Sequence, residues 1–383
     1  MVVTIFLIAS LLLPVIYSYL IYPVILYFLP TKPYNYTPFL IEENQKVALV
    51  IPVHNEERIL SEKLDSIFQS TFPIQKLEIF LLLDDCTDGS LAIAQSYQKK
   101  GITIHILSFD SRMGKPKLLN SIMQKLDKNI YPITLLSDAN VVFLPNTIEN
   151  LLRPFSQNII GLVDSRLATC ADFNIHETTY LRYELYVKML ESQKLGAMQG
   201  PFGGCYAIRT NLYIPIPENF LVDDFFIGSN VLLQDYRSVL AADACVVEHY
   251  KSDWSSEFRR KRRISGGNFQ NLFYLLPLFI QKRNYSIFLC FVSHKMLRWL
   301  SPYLLICAGL STLFALYHTN TLLYAAIITG LLYILDVCFS LLFRTRSTAM
   351  RILYFVWMNI ATALGGWDYI RGIRSNIWQR TER

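Results

Sequence analysis

Leu77-Glu-Ile-Phe-Leu-Leu-Leu-Asp84 is a short apolar run that closes on a carboxylate. Lys46–Pro52 (KVALVIP), Ile102–Leu107 and Ile133–Asp138 are runs of the same kind, rich in Val, Ile and Leu. Between them lie segments of helical period and length: Glu56–Ser70, Leu91–Lys100 and Lys115–Leu126. Strand-like runs alternating with helix-like segments predict an α/β domain with a largely parallel, buried sheet. Ligands of such sheets sit beyond the carboxyl ends of the strands. His54-Asn55-Glu56, Asp84 and Asp138 fall there.

Outside this middle the composition changes. The 383 residues are 52% hydrophobic and only 17% charged, against about 25% charged in ordinary soluble domains. The apolar surplus lies at the two ends. Val2–Leu29 is almost uncharged, with Pro14 and Pro23 as kinks; a bilayer core needs about 20 apolar residues, so this segment reads as an anchor, not a removed leader. Trp254–Gln270 is basic and helix-compatible, and Asn271–Gln281, broken by Pro277, suits a membrane-surface segment. Leu300–Tyr317, Leu322–Phe343 and Ile352–Ile370 read as further spans. The expected division is an anchor at 1–30, an α/β catalytic domain at 45–250 and basic interfacial helices at 251–285. A membrane region of about three spans at 286–371 and a basic tail at 372–383 complete it.

Net charge is +6, with much of the excess beside the apolar segments, as on cytoplasmic flanks. Arg344 and Arg346 against the uncharged 318–321 connection place the catalytic domain in the cytoplasm of a multi-pass cell-membrane protein. The arginines at 371, 374, 380 and 383 conflict with that orientation unless Ile352–Ile370 is re-entrant or Ser286–Val292 enters the membrane. No basic stripe interleaved with aromatics suggests nucleic acid. The seven cysteines are scattered without a C-x-x-C pair, which fits reduced, buried thiols and no zinc site. Asp336, inside an apolar span, is either partnered there or part of a polar lining.

Acidic and basic motifs follow one another in a fixed order: Asp84/Asp88, Asp138, Asp164, the pair Asp223-Asp224, then Arg259-Arg-Lys-Arg-Arg263. Carboxylates at strand ends, a late acidic pair and a basic clamp suit an enzyme that holds a metal-diphosphate and deprotonates a hydroxyl. IPVHNEE (51–57), DDCTDGS (84–90), RMGKPKLLN (112–120), SDAN (137–140), GGCYAIR (203–209), VDDF (222–225) and RRKRRISGGNFQ (259–270) resemble, in that order, the processive branch of the family 2 glycosyltransferases. SHKMLRW (293–299) and the terminal IWQRTER are similar to bacterial membrane members. The resemblance covers residues 46 to about 270. It implies a GT-A fold (Rossmann-like, mostly parallel sheet) and inversion of a nucleotide-sugar.

On that resemblance Pro52, His54, Asn55 and Glu56 line the nucleotide pocket, and Asp84 and Asp88 take the base and ribose, carboxylates accepting N–H and O–H donors. Asp88 is equally suited to cap a helix over 89–96. Lys115 offers a mobile cation to the diphosphate, or is a solvated loop lysine. Asp138 would bind a divalent metal, Mg²⁺ or Mn²⁺, that offsets the cost of a buried carboxylate; its plain alternative is a strand-end turn. The family's Asp-x-Asp is Asp138-Ala-Asn140 here, and Asn140 brings only a neutral, weaker oxygen ligand. Gly203 and Gly204 would let a sugar approach the backbone, though such pairs also mark turns. Asp224 is expected as general base beside Asp223; both acids also suit a helix N-terminus. Arg260 and Arg263 would neutralise the leaving diphosphate, and they double as a positive flank. Ile264 stands where the family has tryptophan, which leaves Trp254, Gln270 and nearby aromatics as substitutes.

The expected activity is transfer from a nucleotide-sugar, a UDP-sugar first, to a growing polysaccharide or membrane-associated glycan. A lipid-directed transferase using a polyprenyl-phosphate or glycolipid acceptor is the alternative, and a catalytically silent assembly subunit comes from a different class. Membrane lipid is an expected partner; no segment demands a partner subunit. The absence of G-x-G-x-x-G at the first helix speaks against a dehydrogenase.

Overall fold

The computed structural model describes residues 2–99 except 33 and 35, then 103–168, 175–248, 254–318, 327, 328, 330, 331 and 348–373. The chain opens with α1 (Val2–Ile16) and α2 (Tyr22–Phe28), joined by a π-helical turn at Tyr17–Ile21. Next comes β1 (Val47–Val53), which pairs in parallel with β2 (Leu77–Asp84) on one side and β4 (Ile133–Ser137) on the other. Outside β2 lies β3 (Ile104–Phe109), offset by two residues from the expected 102–107. Beyond β4 the sheet becomes mixed. There β7 (Cys205–Arg209) runs antiparallel between β4 and β6 (Ile160–Leu167), β8 (Arg237–Glu248) lies parallel to β6, and β5 (Val141–Phe143) closes the edge antiparallel to β8. The order is β3-β2-β1-β4-β7-β6-β8-β5.

Both faces of the central strands are covered, which is why their sequences are apolar at consecutive positions. Val47, Leu49, Ile51 and Val53 share a core with Leu60, Leu64 and Ile67 of α3 (Glu57–Phe68), with Ala94 of α4 (Ser90–Gln98) and with Ile148 of α6 (Thr147–Leu152). Ala48 and Val50 point to the other face. They pack with Leu118 and Ile122 of α5 (Lys115–Met123) and with Phe226 and Val231 of α8 (Asp223–Leu233). Each side chain of this size that is fully buried contributes roughly 1.5–3 kcal/mol.

Two expectations are corrected. Asp164 lies in the middle of β6, not at its end; it is fully buried, paired with Lys188 at 2.6 Å and accepting from the Phe202 amide at 2.7 Å, so it braces the sheet. Asn271–Gln281 is no separate segment, because α9 runs unbroken over Trp254–Lys282 with Pro277 inside it. The cost of an interior proline is offset by Leu275 and Phe279, buried on either side of it. Among the described residues two helical stretches, Ile5–Phe28 and Tyr285–Ala315, are long and apolar enough to cross a membrane, and the expected span at 322–343 lies mostly outside those residues. The second comprises α10 (Tyr285–Cys290), a π-helical segment at Phe291–Met296 and most of α11 (Leu297–His318), so it starts well before Leu300. Along α9 lies α12 (Thr348–Ile370), tied by both carboxylate oxygens of Asp368 to Arg262 at 2.6 and 2.7 Å and by Ser265 Oγ to the Thr362 carbonyl at 2.7 Å. Residues 332–347, Asp336 among them, and the tail from 374 lie outside the described residues.

The SHKMLRW run fastens these membrane-type helices to the α/β domain. Its partner is α7 (Ile175–Leu190), which continues through a π-helical turn at Glu191–Leu195. The fully buried ring of His294 lies 2.9 Å from Glu191 and 3.0 Å from Glu184. Glu184 also takes Lys295 and, at 2.8 Å, Arg298. Glu191 accepts from Tyr22 Oη at 2.9 Å, and Ser18 Oγ donates to the Ser293 carbonyl at 2.6 Å. Three π-helical turns, which are rare and occur mostly as single bulges, therefore meet at one buried polar knot.

Candidate functional site

Strand order reverses beside β1: β2 and β3 lie to one side and β4 to the other. At that switch point, beyond the carboxyl ends, opens a cavity of about 2060 Å³. Pro52, His54, Glu56, Asp84, Lys115, Asp138 and Asn140 line it, with Gly203, Gly204, Asp223, Asp224, Arg260 and Arg263. Thirteen residues singled out in the sequence thus share one cavity. Asn55, Asp88 and Gln270 do not line it.

The last three work behind the wall. Asp88 accepts from the amides of Glu57 and Ser90, both at 3.0 Å, and so caps α3 and α4 together. Asn55 adopts a left-handed φ of 53°, which asparagine tolerates, and its Oδ1 accepts from the Thr87 amide at 2.8 Å. Gln270 accepts from the Leu221 amide at 3.0 Å and donates to the Asn219 carbonyl at 2.8 Å, holding the strand of chain that leads into Asp223. Asp84 does both kinds of work. Its carboxylate lines the cavity and accepts from the amides of Met113 at 2.7 Å and Gly114 at 3.2 Å, with Arg112 at 3.7 Å. It therefore fixes the turn that presents Lys115.

Lys115 stands among three carboxylates. Its ammonium lies 2.8 Å from Asp138 Oδ1 and 3.4 Å from Asp223 Oδ2. Burial lowers its pKa, but Asp138 and Asp223 outweigh burial and hold the ammonium above the ordinary lysine range. Asp223 and Asp224 open α8, where an acidic first turn is favourable. The Phe225 amide donates to Asp224 Oδ1 at 2.8 Å. Desolvation, helped by the neighbouring charge of Asp223, pushes the Asp224 carboxyl up to about 7, against the pull of Lys115. A carboxyl of that pKa is suited to exchange protons at neutral pH. Removing the Asp223 charge removes one cause of the rise. Asp223→Asn is therefore expected to move the acid limb of the kcat/KM–pH profile to lower pH, and an unmoved limb would refute the coupling.

The first glycine of the pair serves Asp224, the second the packed floor. A Cβ on Gly203 would lie 2.5 Å from Asp224 Oδ2, so any side chain there displaces that carboxylate. A Cβ on Gly204 would meet the Phe202 ring at 2.5 Å and Val141 Cγ2 at 2.8 Å. Backbone links complete the floor: the Asp138 amide and Ser137 Oγ both donate to the Gly204 carbonyl, at 2.9 and 3.0 Å.

Asn140, 4% exposed, donates from Nδ2 to Glu248 Oε1 at 3.0 Å. Glu248 was not singled out in the sequence. It ends a β8 strand 108 positions away from Asn140, and only the β5–β8 pairing brings the two together. Among the described residues no three His, Cys, Asp or Glu side chains converge tightly enough to form a metal cage. One carboxylate at Asp138, a carboxamide and the nearby Glu248 fit instead a Mg²⁺- or Mn²⁺-type ion, which is commonly bound through one or two carboxylates plus substrate phosphates.

On the far wall α9 contributes Arg259, Arg260, Arg262, Arg263 and Ile264. Arg263 Nη1 donates to the Leu221 carbonyl at 3.4 Å. A tryptophan does line the cavity from elsewhere in the chain: Trp299 of α11 meets the Phe225 ring edge-on at 5.0 Å. Trp299 closes the SHKMLRW run, and Lys295 of the same run lines the cavity too, but nothing in that run shows which wall it joins.

Comparison with known proteins gives the following. Residues 48–215 match the family described as Glycosyl transferase family 2, and residues 163–365 match Glycosyl transferase family group 2. A poly(ribitol-phosphate) beta-glucosyltransferase of Bacillus spizizenii is 34% identical over 93 residues, 24% of this chain and 15% of that protein's length. A mannosyltransferase from Pyrobaculum calidifontis, solved in complex with GDP-Man and Mn²⁺, superposes with a TM-score of 0.72 at 16% identity, over 96% of this chain and 98% of that one.

Proposed function

Because the chain belongs to the family 2 glycosyltransferases, we propose that it transfers a sugar, with inversion, from a nucleotide-sugar to a hydroxyl of a glycan that is growing or membrane-associated. The observation that carries this reading is Asp224: its carboxyl is raised to about 7, faces the cavity and is cleared of obstruction by Gly203. Pro52, His54 and Glu56 with the Asp84-held turn form the nucleotide pocket. Asp138 and Asn140, with Glu248 beside them, would hold a divalent ion, which neutralises charge on the diphosphate when bound.

The acceptor oxygen attacks the anomeric carbon while Asp224 Oδ2 takes the hydroxyl proton. The bond from that carbon to the diphosphate oxygen breaks, and the nucleoside diphosphate leaves with the electron pair. Lys115, Arg260 and Arg263 stabilise the charge that grows on it. An α-linked donor yields a β-linkage. Asp223 keeps the Asp224 carboxyl poised. The two helices of membrane length support residence at a cell membrane and an acceptor gathered there. A lipid-directed single addition remains the second reading, favoured by the α7 and α11 residues Tyr180 and Trp299 in the same wall.

The test is nucleotide release from a panel of UDP-sugars and GDP-mannose. Detergent-solubilised protein is supplied with Mn²⁺ or Mg²⁺ and a native lipid extract, and the product is sized. One donor consumed and metal dependence support the reading, and product size separates polymer from single addition. No donor consumed under any metal refutes it. Glu248→Gln should weaken Mn²⁺ binding to the UDP-loaded protein by about ten-fold, read from the free-Mn²⁺ electron paramagnetic resonance signal; an unchanged affinity removes Glu248 from the metal site.

A further inference from the structure

We propose that Lys63 is a positioning residue: a buried ammonium that clips the Asp138-Ala139-Asn140 loop to α3. The assignment of that loop to the donor diphosphate rests on the function proposed above; the clip itself is read from geometry. Lys63 is fully buried on α3. It donates to Ser137 Oγ at 2.7 Å and to the Val141 carbonyl at 2.5 Å. Ser137 immediately precedes the loop and Val141 immediately follows it, so one ammonium grips both ends of a three-residue segment.

The grip extends further. Ser137 Oγ, which accepts from Lys63, donates to the Gly204 carbonyl at 3.0 Å, next to the glycine that makes room for Asp224. At its other end α3 starts at Glu57, directly after His54-Asn55-Glu56. Lys63 thereby fixes the relative placement of the nucleotide loop, the acidic loop and the glycine pair. The ammonium also sits over the Phe143 ring, 3.5 Å from its centroid.

Stability alone does not account for a lysine here. Among the described residues no carboxylate lies within ion-pair distance of it, and a buried cation without one is costly. Burial pushes the ammonium down to about 7. An apolar side chain of the same length would fill the space without that cost, but it would release both ends of the loop.

The experiment uses the full chain in detergent and the variant Lys63→Met. Hydrogen exchange over residues 138–143 is expected to quicken by about ten-fold while the amides of β1 and β2 keep their rates. Donor KM should rise about ten-fold with Tm unchanged or higher, a split that a merely structural lysine would not produce. Ile67→Val, a core change on the same helix, should lower Tm and leave exchange at 138–143 alone. If Lys63→Met does not fold, Ser137→Ala removes one of the two grips and should quicken exchange in the same segment. Unchanged exchange at 138–143 in the folded variants overturns the proposal. Failure of the wild type to consume any nucleotide-sugar would overturn the proposed function instead, and the exchange result would still decide Lys63.

Discussion

Asp224→Asn is expected to reduce sugar transfer by at least about 10³-fold, the upper part of the range for a general base, while nucleotide binding stays within about two-fold of wild type. Asparagine preserves the shape and the bond to the Phe225 amide but cannot accept a proton. The same variant should be more heat-stable than wild type at pH 8. Unfolded, the Asp224 carboxyl ionises near 3.8; folded, it holds its proton until about 7. As pH rises through that window the folded state loses stability, because it binds more protons than the unfolded chain. Above 7 the full penalty is present in wild type and absent in the variant. Thermal unfolding at pH 8 and pH 4 should therefore show a gain in Tm of a few degrees that closes on acidification. Transfer at the wild-type rate would mean that another group takes the proton. A variant less stable at pH 8 would mean that the carboxyl is not held protonated.

Gly203→Ala should be nearly as damaging, and for a reason that chemistry alone would not suggest. One methyl group placed 2.5 Å from Asp224 Oδ2 and 3.0 Å from its Cγ must push the carboxylate aside. A displacement of about 1 Å at a reacting group commonly costs about 10² in rate, so a loss of that order or more is expected in kcat. Tm should change little, since the obstructing atoms belong to a side chain that can move. Gly204→Ala makes the contrasting case: its Cβ meets the Phe202 ring and Val141 in the packed floor, and the expected damage is to folding. Kinetics and thermal unfolding of the two variants together separate the roles. If Gly203→Ala retains full activity, Asp224 either tolerates displacement or does not act where the structure places it.

Strands whose neighbours cover both faces leave an unmistakable trace, and KVALVIP and LEIFLLLD were legible for that reason. The ordered acidic and basic motifs contain the thirteen singled-out residues that line one cavity. What escaped was of another kind. Asp164 has the same sequence dress as Asp138, an acid after an apolar run, but it sits mid-strand, fully buried against Lys188 of α7, whereas Asp138 follows its strand and lines the cavity. Asn55 belongs to the motif yet spends its side chain on a loop amide, whereas Asp88 takes the helix-cap alternative its sequence context already offered. Pro277 signals a break that packing overrides. Glu248 reaches the site through β8, which no local pattern ties to it, and Trp299 sits in a quoted run whose place in the wall only the packing of α11 reveals. Sequence periodicity records what a residue is buried in; it does not record which distant residue it meets.

The polar knot at Glu184, Glu191 and His294 bears on how such a protein can be altered or recombined. Its anions sit on α7 and the turn after it, while its bases sit on the helix that begins at Tyr285. A chimera that takes its catalytic half from one ancestor and its hydrophobic helices from another would bring together carboxylates and cations of unmatched number and reach. A trimmed version lacking the helix from Tyr285 would strip Glu184 of its three basic partners and leave the buried Glu191 with the Gln199 amide but without His294. The apolar helices are thus a structural part of the catalytic unit and not an interchangeable attachment.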